Sequence, residues 1–133
     1  MEKQPSAISP EGIISVFFKK YSSKIFFNSD FHKAFFKLKK TGKYKILLYD
    51  IRFSGSDINP YSEEIAKALT NMQYSGALSR QNPDLIKYST TAYFDEAYMI
   101  LTENVDSRVI SETQIMCDEL NSFLNSLVDG TGR

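Results

Sequence analysis

Few side chains in this sequence are suited to catalysis. The chain has a single histidine, His32, and a single cysteine, Cys117. A histidine can activate a cysteine as a nucleophile when the two side chains meet in the fold. Their spacing does not exclude such a pair, but no nucleophile or orienting acid stands beside His32, and a lone cysteine is usually a small buried apolar residue. We therefore predict a surface histidine and a core cysteine rather than a catalytic pair.

The acidic residues and the glycines give no sign of a catalytic or cofactor site either. The pairs Asp95–Glu96 and Asp118–Glu119 are adjacent in sequence, so helical geometry does not bring their carboxylates together. One histidine and one cysteine are too few for a typical zinc site, and the glycine-rich nucleotide-binding motifs are missing. The sequence predicts a protein that is not an enzyme, with no metal, no cofactor and no small-molecule substrate.

The charge distribution is the most informative feature of the composition. The chain of 133 residues carries 16 basic and 16 acidic side chains, for a net charge of zero. Ten lysines face four acids in residues 1–50, so this half carries +6 and residues 51–133 carry −6. Opposite charges of this kind can attract each other within one molecule, pair head to tail between copies, or leave a basic region that binds a polyanion.

Lysines and aromatic residues are interleaved between residues 19 and 45, a pattern typical of surfaces that bind single-stranded nucleic acid. Several of the aromatic residues also lie at helical spacing, so core packing explains most of them without a ligand. An asparagine on a helix, here Asn71, can pair with adenine. The candidate contacts to nucleic acid are Lys33, Lys37, Lys39, Lys40, Lys43, Lys67, Asn71, Arg80 and Lys87.

Capping residues and apolar spacing predict three helices in the first 75 residues. Ser9 and Pro10 are a typical N-cap and first helical residue. A second helix follows the polar cluster at residues 28–30, and a third runs from Ser62 to Ser75. In each helix the apolar residues recur at intervals of three and four, which places them on one face. The predicted buried residues are Ile13, Ile14, Phe17, Phe18, Tyr21, Phe31, Ala34, Phe35, Leu38, Ile65, Ala68, Leu69 and Met72.

The connecting segments fit more than one secondary structure. Residues 24–27 are predicted to be extended, and residues 54–59 are predicted to be a loop. Residues 44–53 fit a buried strand or a short helix, and their content of isoleucine and aromatic residues favours the strand. Residues 85–91 alternate as a strand does, and residues 92–101 fit either its antiparallel partner or another helix.

A long C-terminal helix is predicted from residue 107 to residue 128. Its apolar residues follow one another at steps of four and three, the spacing by which one helix packs on another. We interpret this row as an interaction helix for a protein partner or for a second copy in a homodimer. The residues of that helix are Val109, Met116, Leu120, Phe123 and Leu127.

The middle of the chain is similar to a known family. Residues 59–62 (Asn-Pro-Tyr-Ser) begin a helix that ends in Ser-Gly-Ala-Leu at residues 75–78, and a strand ending in Ser-Thr-Thr follows at residues 89–91. Over residues 59–91 the chain resembles winged-helix proteins of the Panacea-domain kind, found among bacterial antitoxins, phage-associated proteins and subunits of defence systems. The resemblance implies that residues 62–75 are the recognition helix.

The order of elements predicts an α+β, mainly helical fold that is winged-helix-like, with a short β-hairpin and an added C-terminal helix. We expect a flexible arm at residues 1–8, a single globular domain at residues 9–128 and a frayed tail at residues 129–133. No secretory signal, N-glycosylation acceptor or apolar run long enough to span a bilayer occurs in the sequence. Together with the single cysteine, this predicts a cytoplasmic protein with no membrane partner.

These patterns favour an interaction or regulatory subunit, such as a neutralising partner or a component of a bacterial or phage complex. The alternative is a DNA-binding transcriptional regulator, either sequence-specific or non-specific. Glu63 and Glu64 favour the interaction subunit, because acids at the start of a recognition helix repel phosphate, whereas the frequency of helix-turn-helix proteins among DNA-binding proteins favours the alternative.

Overall fold

The computed structural model of the chain describes residues 8–21, 28–80 and 88–131. Within these residues the fold is mainly helical α+β, as predicted, with five helices and two small antiparallel sheets of two strands each. The elements are α1 (Pro10–Lys20), α2 (Asn28–Lys40), β1 (Ser54–Gly55), β2 (Pro60–Tyr61), α3 (Glu63–Tyr74), β3 (Leu78–Arg80), β4 (Tyr88–Thr90), α4 (Phe94–Thr102) and α5 (Ser107–Thr131).

Helix α1 begins where the sequence predicts, and the residue before its cap fixes it to the core. The Ser9 hydroxyl accepts a hydrogen bond from the Gly12 N–H at 3.0 Å, and Pro10 is the first helical residue. Ile8, which we expected in a flexible arm, is buried and packs on the first turn of α1. Ile8 therefore belongs to the core, and residues 1–7 of the expected arm lie outside the described residues.

The core forms around α1, whose residues 12–18 are all buried. The Phe17 ring lies 5.6 Å, between centroids, from both Phe18 and Phe31, and Phe31 lies 5.0 Å from Phe35. Edge-to-face and tilted ring pairs of this kind add to the free energy gained by burying the rings. All four were predicted to be buried, and that prediction is confirmed. Helices α3, α4 and α5 all pack on α1, and α2 packs on α5.

The segment after α2 differs from the prediction. Residues 43–50 form successive turns rather than a strand, and the Leu48 N–H donates to the Tyr44 carbonyl oxygen at 2.9 Å. Leu48 and Ile51 are buried three residues apart. The strand predicted for residues 44–53 is wrong because a short apolar run does not distinguish a strand from a helical turn, and here the core accepts the turn.

Part of the segment expected to be a loop is paired as a small ladder. β1 and β2 are antiparallel, with Gly55 opposite Pro60. Gly55 has a φ of +84°, and a Cβ on it would lie 2.7 Å from the Asn59 carbonyl oxygen. This tight turn fixes the chain immediately before the cap of α3.

Helix α3 is confirmed in its position, its capping and its buried face. The Ser62 hydroxyl accepts the Ile65 N–H at 3.2 Å. At the other end, Gly76 adopts a φ of +87°, and the Ala77 N–H donates to the Met72 carbonyl oxygen at 2.9 Å. The predicted inward residues are all buried, namely Ile65, Ala68, Leu69 and Met72.

The hairpin after α3 uses a different pair of strands from the one considered. β3 pairs with β4, so that Leu78 lies opposite Thr90. Residues 92–101, for which strand and helix were both open, contain α4 instead. The beginning of the predicted strand, residues 85–87, and the predicted extended segment, residues 24–27, lie outside the described residues.

Helix α5 continues to Thr131, three residues beyond its predicted end and into the segment expected to be a frayed tail. It packs on both α1 and α2. The Thr113 hydroxyl, which is buried, donates to the Val109 carbonyl oxygen at 2.7 Å, so this polar group is satisfied within the helix. In the part of the chain that the structure describes, no helix is both long enough and apolar enough to cross a membrane.

Replacing Phe17 with alanine tests the central position of this ring. We expect the free energy of unfolding to fall by about 3–5 kcal/mol, because the change leaves a cavity between Phe18 and Phe31. Ile58→Ala is the control, since Ile58 is a large apolar residue exposed between β1 and β2, and we expect a change within about 0.5 kcal/mol. Denaturant unfolding followed by circular dichroism measures both, and equal decreases would contradict a core centred on α1.

Candidate functional site

The two charged halves of the sequence pair with each other inside one molecule. Each of three ion pairs joins a lysine from residues 1–50 to an acid from residues 51–133. The pairs and their N–O distances are Lys19–Asp95 at 3.1 Å, Lys20–Asp118 at 2.8 Å and Lys43–Glu119 at 2.8 Å. The basic and acidic halves of the sequence therefore attract each other within one molecule, which is one of the three interpretations given for the charge division.

Tyrosine hydroxyls add a hydrogen bond to two of these pairs. Tyr21 donates to Asp118 at 2.5 Å, and Tyr44 donates to Glu119 at 2.7 Å. Burial, followed by the accepting carboxylate, raises the pKa of each tyrosine to about 12. Hydrogen bonds from the lysine and then from the tyrosine hold the pKa of each carboxyl below its usual value. Two Lys-Tyr dipeptides thus bind two consecutive acids of α5.

Three of the lysines proposed for nucleic acid have contacts within the chain. Lys43 belongs to one of the ion pairs above. Lys39 donates to the Ile51 carbonyl oxygen, and its burial lowers the pKa of its ammonium. The Lys40 ammonium lies 5.3 Å from the centre of the Phe36 ring. Of these three, only Lys40 keeps an exposed ammonium with neither an ion pair nor a hydrogen bond among the described residues.

The other candidates for nucleic-acid contact lie on two helices. Lys33 and Lys37 are four residues apart on α2, and Lys67 lies on α3. Asn71, which was to pair with adenine, donates from its amide to the Glu11 carboxylate at 3.0 Å. The candidates that the structure does not describe are the Arg80 side chain and Lys87. The structure therefore brings together a short lysine row on α2, and Lys67 is the single cation of α3, the helix to which the resemblance assigns recognition.

The predicted interaction helix is occupied by the protein's own core. Met116 and Leu120, at the centre of the row on α5, are fully buried. Val109, Phe123 and Leu127 are partly buried against the same core. The interpretation of this row as a partner-binding face is therefore corrected, because its spacing of four and three reflects packing on α1 and α2 of the same chain.

His32 is buried, contrary to the surface position predicted for it. Its Nδ1 accepts the Ser62 N–H at 3.0 Å, and its ring stacks on Tyr61 with centroids 5.0 Å apart. Burial lowers the pKa of His32 to about 4, so the ring is neutral at neutral pH. His32 thus joins α2 to the cap of α3, a contact that local sequence patterns do not reveal because the partners are 30 residues apart.

Cys117 is a core residue, as predicted. Its Sγ lies 3.9 Å from the Ile13 carbonyl oxygen, and burial raises the pKa of its thiol. A buried, protonated thiol is a poor nucleophile. Cys117 contacts α1, whereas His32 contacts β2 and the start of α3, so the two side chains serve different packing contacts.

Helices α3 and α4 expose an apolar surface that the charge and helix patterns of the sequence do not predict. Tyr74 is 87% exposed, and Met99 and Ile100 are 68% and 67% exposed. A groove of about 300 Å³ lies between α1, α3 and α4, with Ile100, Met72 and Leu101 in its lining. If residues 92–101 are helical, Phe94, Ala97, Tyr98 and Leu101 share one face, and Met99 and Ile100 fall outside it. This spacing is the signal in the sequence that points to an exposed Met99 and Ile100.

Two acids flank Ile100, one on α4 and one at its C-cap. Glu96 precedes Ile100 by four residues and Glu103 follows it by three, so the three side chains lie along one side of the helix, all exposed. We name Tyr74, Glu96, Met99, Ile100 and Glu103 together the α4 surface.

A second apolar groove lies between the turns after α2 and helix α5. Its volume is about 460 Å³, and it is lined by residues 42–47 together with Glu112 and Ile115. Ile46 and Ile115 are 70% and 60% exposed. The two isoleucines come from distant parts of the chain, so the sequence alone does not show that they lie beside one groove.

No protein-family model, curated protein or solved structure matches this chain. The resemblance of residues 59–91 to winged-helix proteins therefore receives no support from relatives. The features of the described residues that bear on function are the two exposed apolar sites and the charges around them.

The stability of the fold should depend on pH through His32. The folded protein binds a proton there less readily than the unfolded chain, in which histidine has a pKa of about 6.5. The neutral ring therefore contributes fully to the free energy of unfolding above pH 6.5, and this contribution is lost progressively as the pH falls towards about 4. Denaturant unfolding across this range measures the loss of stability.

His32→Asn is the matched variant for this measurement. Its amide oxygen can still accept the Ser62 N–H, but the side chain does not titrate. We expect the stability of the variant to change less than that of the wild type between about pH 6.5 and pH 4.5, and comparing the two proteins at each pH cancels the contribution of the carboxyls, which both share. Identical pH profiles would show that His32 does not carry the dependence.

Asp118→Asn tests the attraction between the charged halves. The change removes the charge that Lys20 and Tyr21 bind, and we expect a decrease of up to about 1 kcal/mol in the free energy of unfolding at low salt. Glu112→Gln, an exposed acid on the same helix, is the control and should have little effect. The difference between the two variants should shrink at high salt, and a difference that is independent of salt would argue against charge pairing.

Proposed function

We propose that this protein is a non-enzymatic interaction or regulatory subunit that binds another protein chain through the α4 surface. We propose further that α1 through β4 form a winged-helix-like unit, to which α4 and α5 are added. The observation that carries the proposal is the group of exposed apolar side chains on α4 and at the end of α3.

The chemistry of the α4 surface suits a protein partner. Exposed apolar side chains that cluster beside a groove are typical of binding sites rather than of ordinary surface. Methionine adapts its shape to a partner, and tyrosine supplies a large ring with a polar end, which is why both are enriched at interfaces. Ile100 lines the groove, and the exposed Met99 and Tyr74 are the sequence neighbours of two lining residues, Ile100 and Ser75.

The acids of α3 make DNA binding the weaker candidate. Glu64 accepts a hydrogen bond from the Arg52 guanidinium at 2.8 Å, and Glu63 is exposed beside it. This end of a recognition helix normally enters the groove of DNA, where acids meet phosphate repulsion. The contacts of Lys39 and Lys43 within the chain also remove two of the cations proposed for phosphate.

The surroundings of His32 and Cys117 support a role without catalysis. The ring of His32 is neutral, and its Nδ1 is occupied by the backbone of the α3 cap. The thiol of Cys117 is protonated and buried between α5 and α1. A catalytic pair needs the two groups within hydrogen-bond distance, and each is instead engaged with a different partner.

The order of elements supports the winged-helix-like part of the proposal. α1, α2 and α3 are followed directly by the antiparallel hairpin of β3 and β4, which is the order of a helix-turn-helix unit and its wing. α3 lies where the recognition helix would be. Many folds of this kind support binding functions of more than one sort, so the surface chemistry decides the function.

A photo-crosslinking amino acid at position 99 tests the proposed function. In cells that produce the protein at a low level, we expect a discrete cross-linked protein product from Met99, because this side chain points into solvent at the proposed interface. The matched control is position 58, since Ile58 is equally apolar and exposed but lies between β1 and β2. The same products from both positions, or no product from position 99, would contradict the proposal.

A DNA titration at several salt concentrations tests the alternative. We expect no measurable binding at low salt, for the wild type or for the variant Lys33→Gln/Lys37→Gln/Lys40→Gln. A DNA-binding protein would instead bind with an affinity that falls with salt, and the logarithmic slope would decrease by about 0.9 for each phosphate that the variant no longer neutralises. That second result would replace the interaction subunit with a DNA-binding regulator.

A further inference from the structure

We infer that copies of this protein associate head to tail, with the α4 surface of one copy seated in the groove between the post-α2 turns and α5 of the next copy. The inference rests on the proposed function, because it names the partner of the α4 surface as a second copy of this chain. It is carried by the opposite charges that surround the two exposed apolar sites.

The α4 surface is apolar at its centre and acidic around it. Residues 93–106 contain four acids and no basic residue. Asp95 is neutralised by its ion pair with a lysine of α1. Glu96 and Glu103, on either side of Ile100, have no ion pair among the described residues and are exposed. A partner that covers Ile100 must therefore bring positive charge to its edges.

The segment that ends α2 and forms one wall of the second groove carries that charge. Residues 37–46 contain five lysines and no acid. Two of the five are occupied, by the Ile51 carbonyl oxygen and by Glu119. The lysines that remain exposed without an ion pair among the described residues are Lys37, Lys40 and Lys45. We name these three lysines with Ile46 and Ile115 the turn–α5 surface.

The groove within the turn–α5 surface is large enough for side chains of the α4 surface. Its volume of about 460 Å³ lies within the range of about 300–1,000 Å³ that is typical of binding pockets. Ile46 and Ile115 supply apolar contacts for Ile100 and Met99. Lys45 and Glu112 also line the groove, and Lys37 and Lys40 lie on the last turn of α2, just before it.

The charges favour a head-to-tail arrangement over a symmetric dimer. A two-fold dimer through the α4 surface would place Glu96 and Glu103 against the same acids of the second copy. A two-fold dimer through the turn–α5 surface would place lysines against lysines. Like charges brought together in this way oppose association, whereas the heterologous contact joins opposite charges. Such a contact leaves one free surface of each kind, so assembly continues until a ring closes or a filament forms.

Sedimentation velocity on the full chain, over a concentration series at low and high salt, tests the inference. We expect species larger than the monomer whose population rises with concentration and falls with salt, since exposed charges are screened. Each of two triple variants should weaken this association by about tenfold or more, because each removes an apolar anchor and two charges. The variants are Glu96→Gln/Ile100→Ser/Glu103→Gln on the α4 surface and Lys40→Gln/Ile46→Ser/Lys45→Gln on the turn–α5 surface.

Mixing the two variants gives the sharpest result. Each variant keeps the surface that is disrupted in the other, so the mixture should form a heterodimer of one copy of each and should stop there. Ile58→Ser is the control and should associate as the wild type does, since Ile58 lies on neither surface. The inference is overturned by a wild type that stays monomeric at low salt, by a triple variant that associates normally, or by a mixture that forms no heterodimer.

Cross-linking from position 99 separates failure of this inference from failure of the proposed function. A product with twice the mass of the chain, absent from the turn–α5 variant, supports head-to-tail association. If the chain is monomeric in sedimentation and its cross-linked product contains a different protein, head-to-tail association is overturned. The proposed function as an interaction subunit is then still supported. A monomer that gives no product at position 99 overturns both.

Discussion

The fold depends on the burial of α1 on all sides. Seven consecutive residues, 12–18, are buried, which covers nearly two turns of the helix around its whole circumference. A helix without an exposed face must be covered by other elements, and α3, α4 and α5 all pack on α1. The position of α4, and with it the exposed Met99 and Ile100, therefore follows from the need to cover Phe17 and Phe18. Phe94 of α4 contributes directly, with its ring 6.4 Å from Phe18.

Local patterns predicted the parts of the fold that depend on neighbouring residues. The hydroxyls of Ser9 and Ser62 each cap a helix by accepting the N–H of the residue three positions later. The buried faces of α1, α2 and α3 follow from the spacing of apolar residues along each helix. The errors concern contacts between distant residues. Residues 44–53 were assigned to a strand because their apolar content did not show which neighbour they cover. The row around Met116 was assigned to a partner because spacing alone does not distinguish a helix of another chain from a helix of the same chain.

The candidate site was predictable only in its charges. The sequence shows that the first 50 residues are basic and the remainder acidic, but not which lysines meet which acids. The fold decides this by placing two Lys-Tyr dipeptides, at residues 20–21 and 43–44, against the consecutive acids Asp118 and Glu119 of α5. The buried contact of His32 was equally hidden, because it depends on the turn that brings Ser62 beside α2.

The ion pairs inside the molecule do not remove its charge division. Each of the three pairs joins one charge of each half, and the first 50 residues keep more lysines than acids outside these pairs. The charges that are left unpaired near α4 are negative, on Glu96 and Glu103. Those near the post-α2 turns include the positive charge of Lys40. Internal pairing therefore stabilises the fold while leaving two surfaces of opposite charge, each centred on exposed apolar side chains. A molecule with this distribution attracts its own copies end to end more strongly than face to face, because charge complementarity is met only between unlike surfaces.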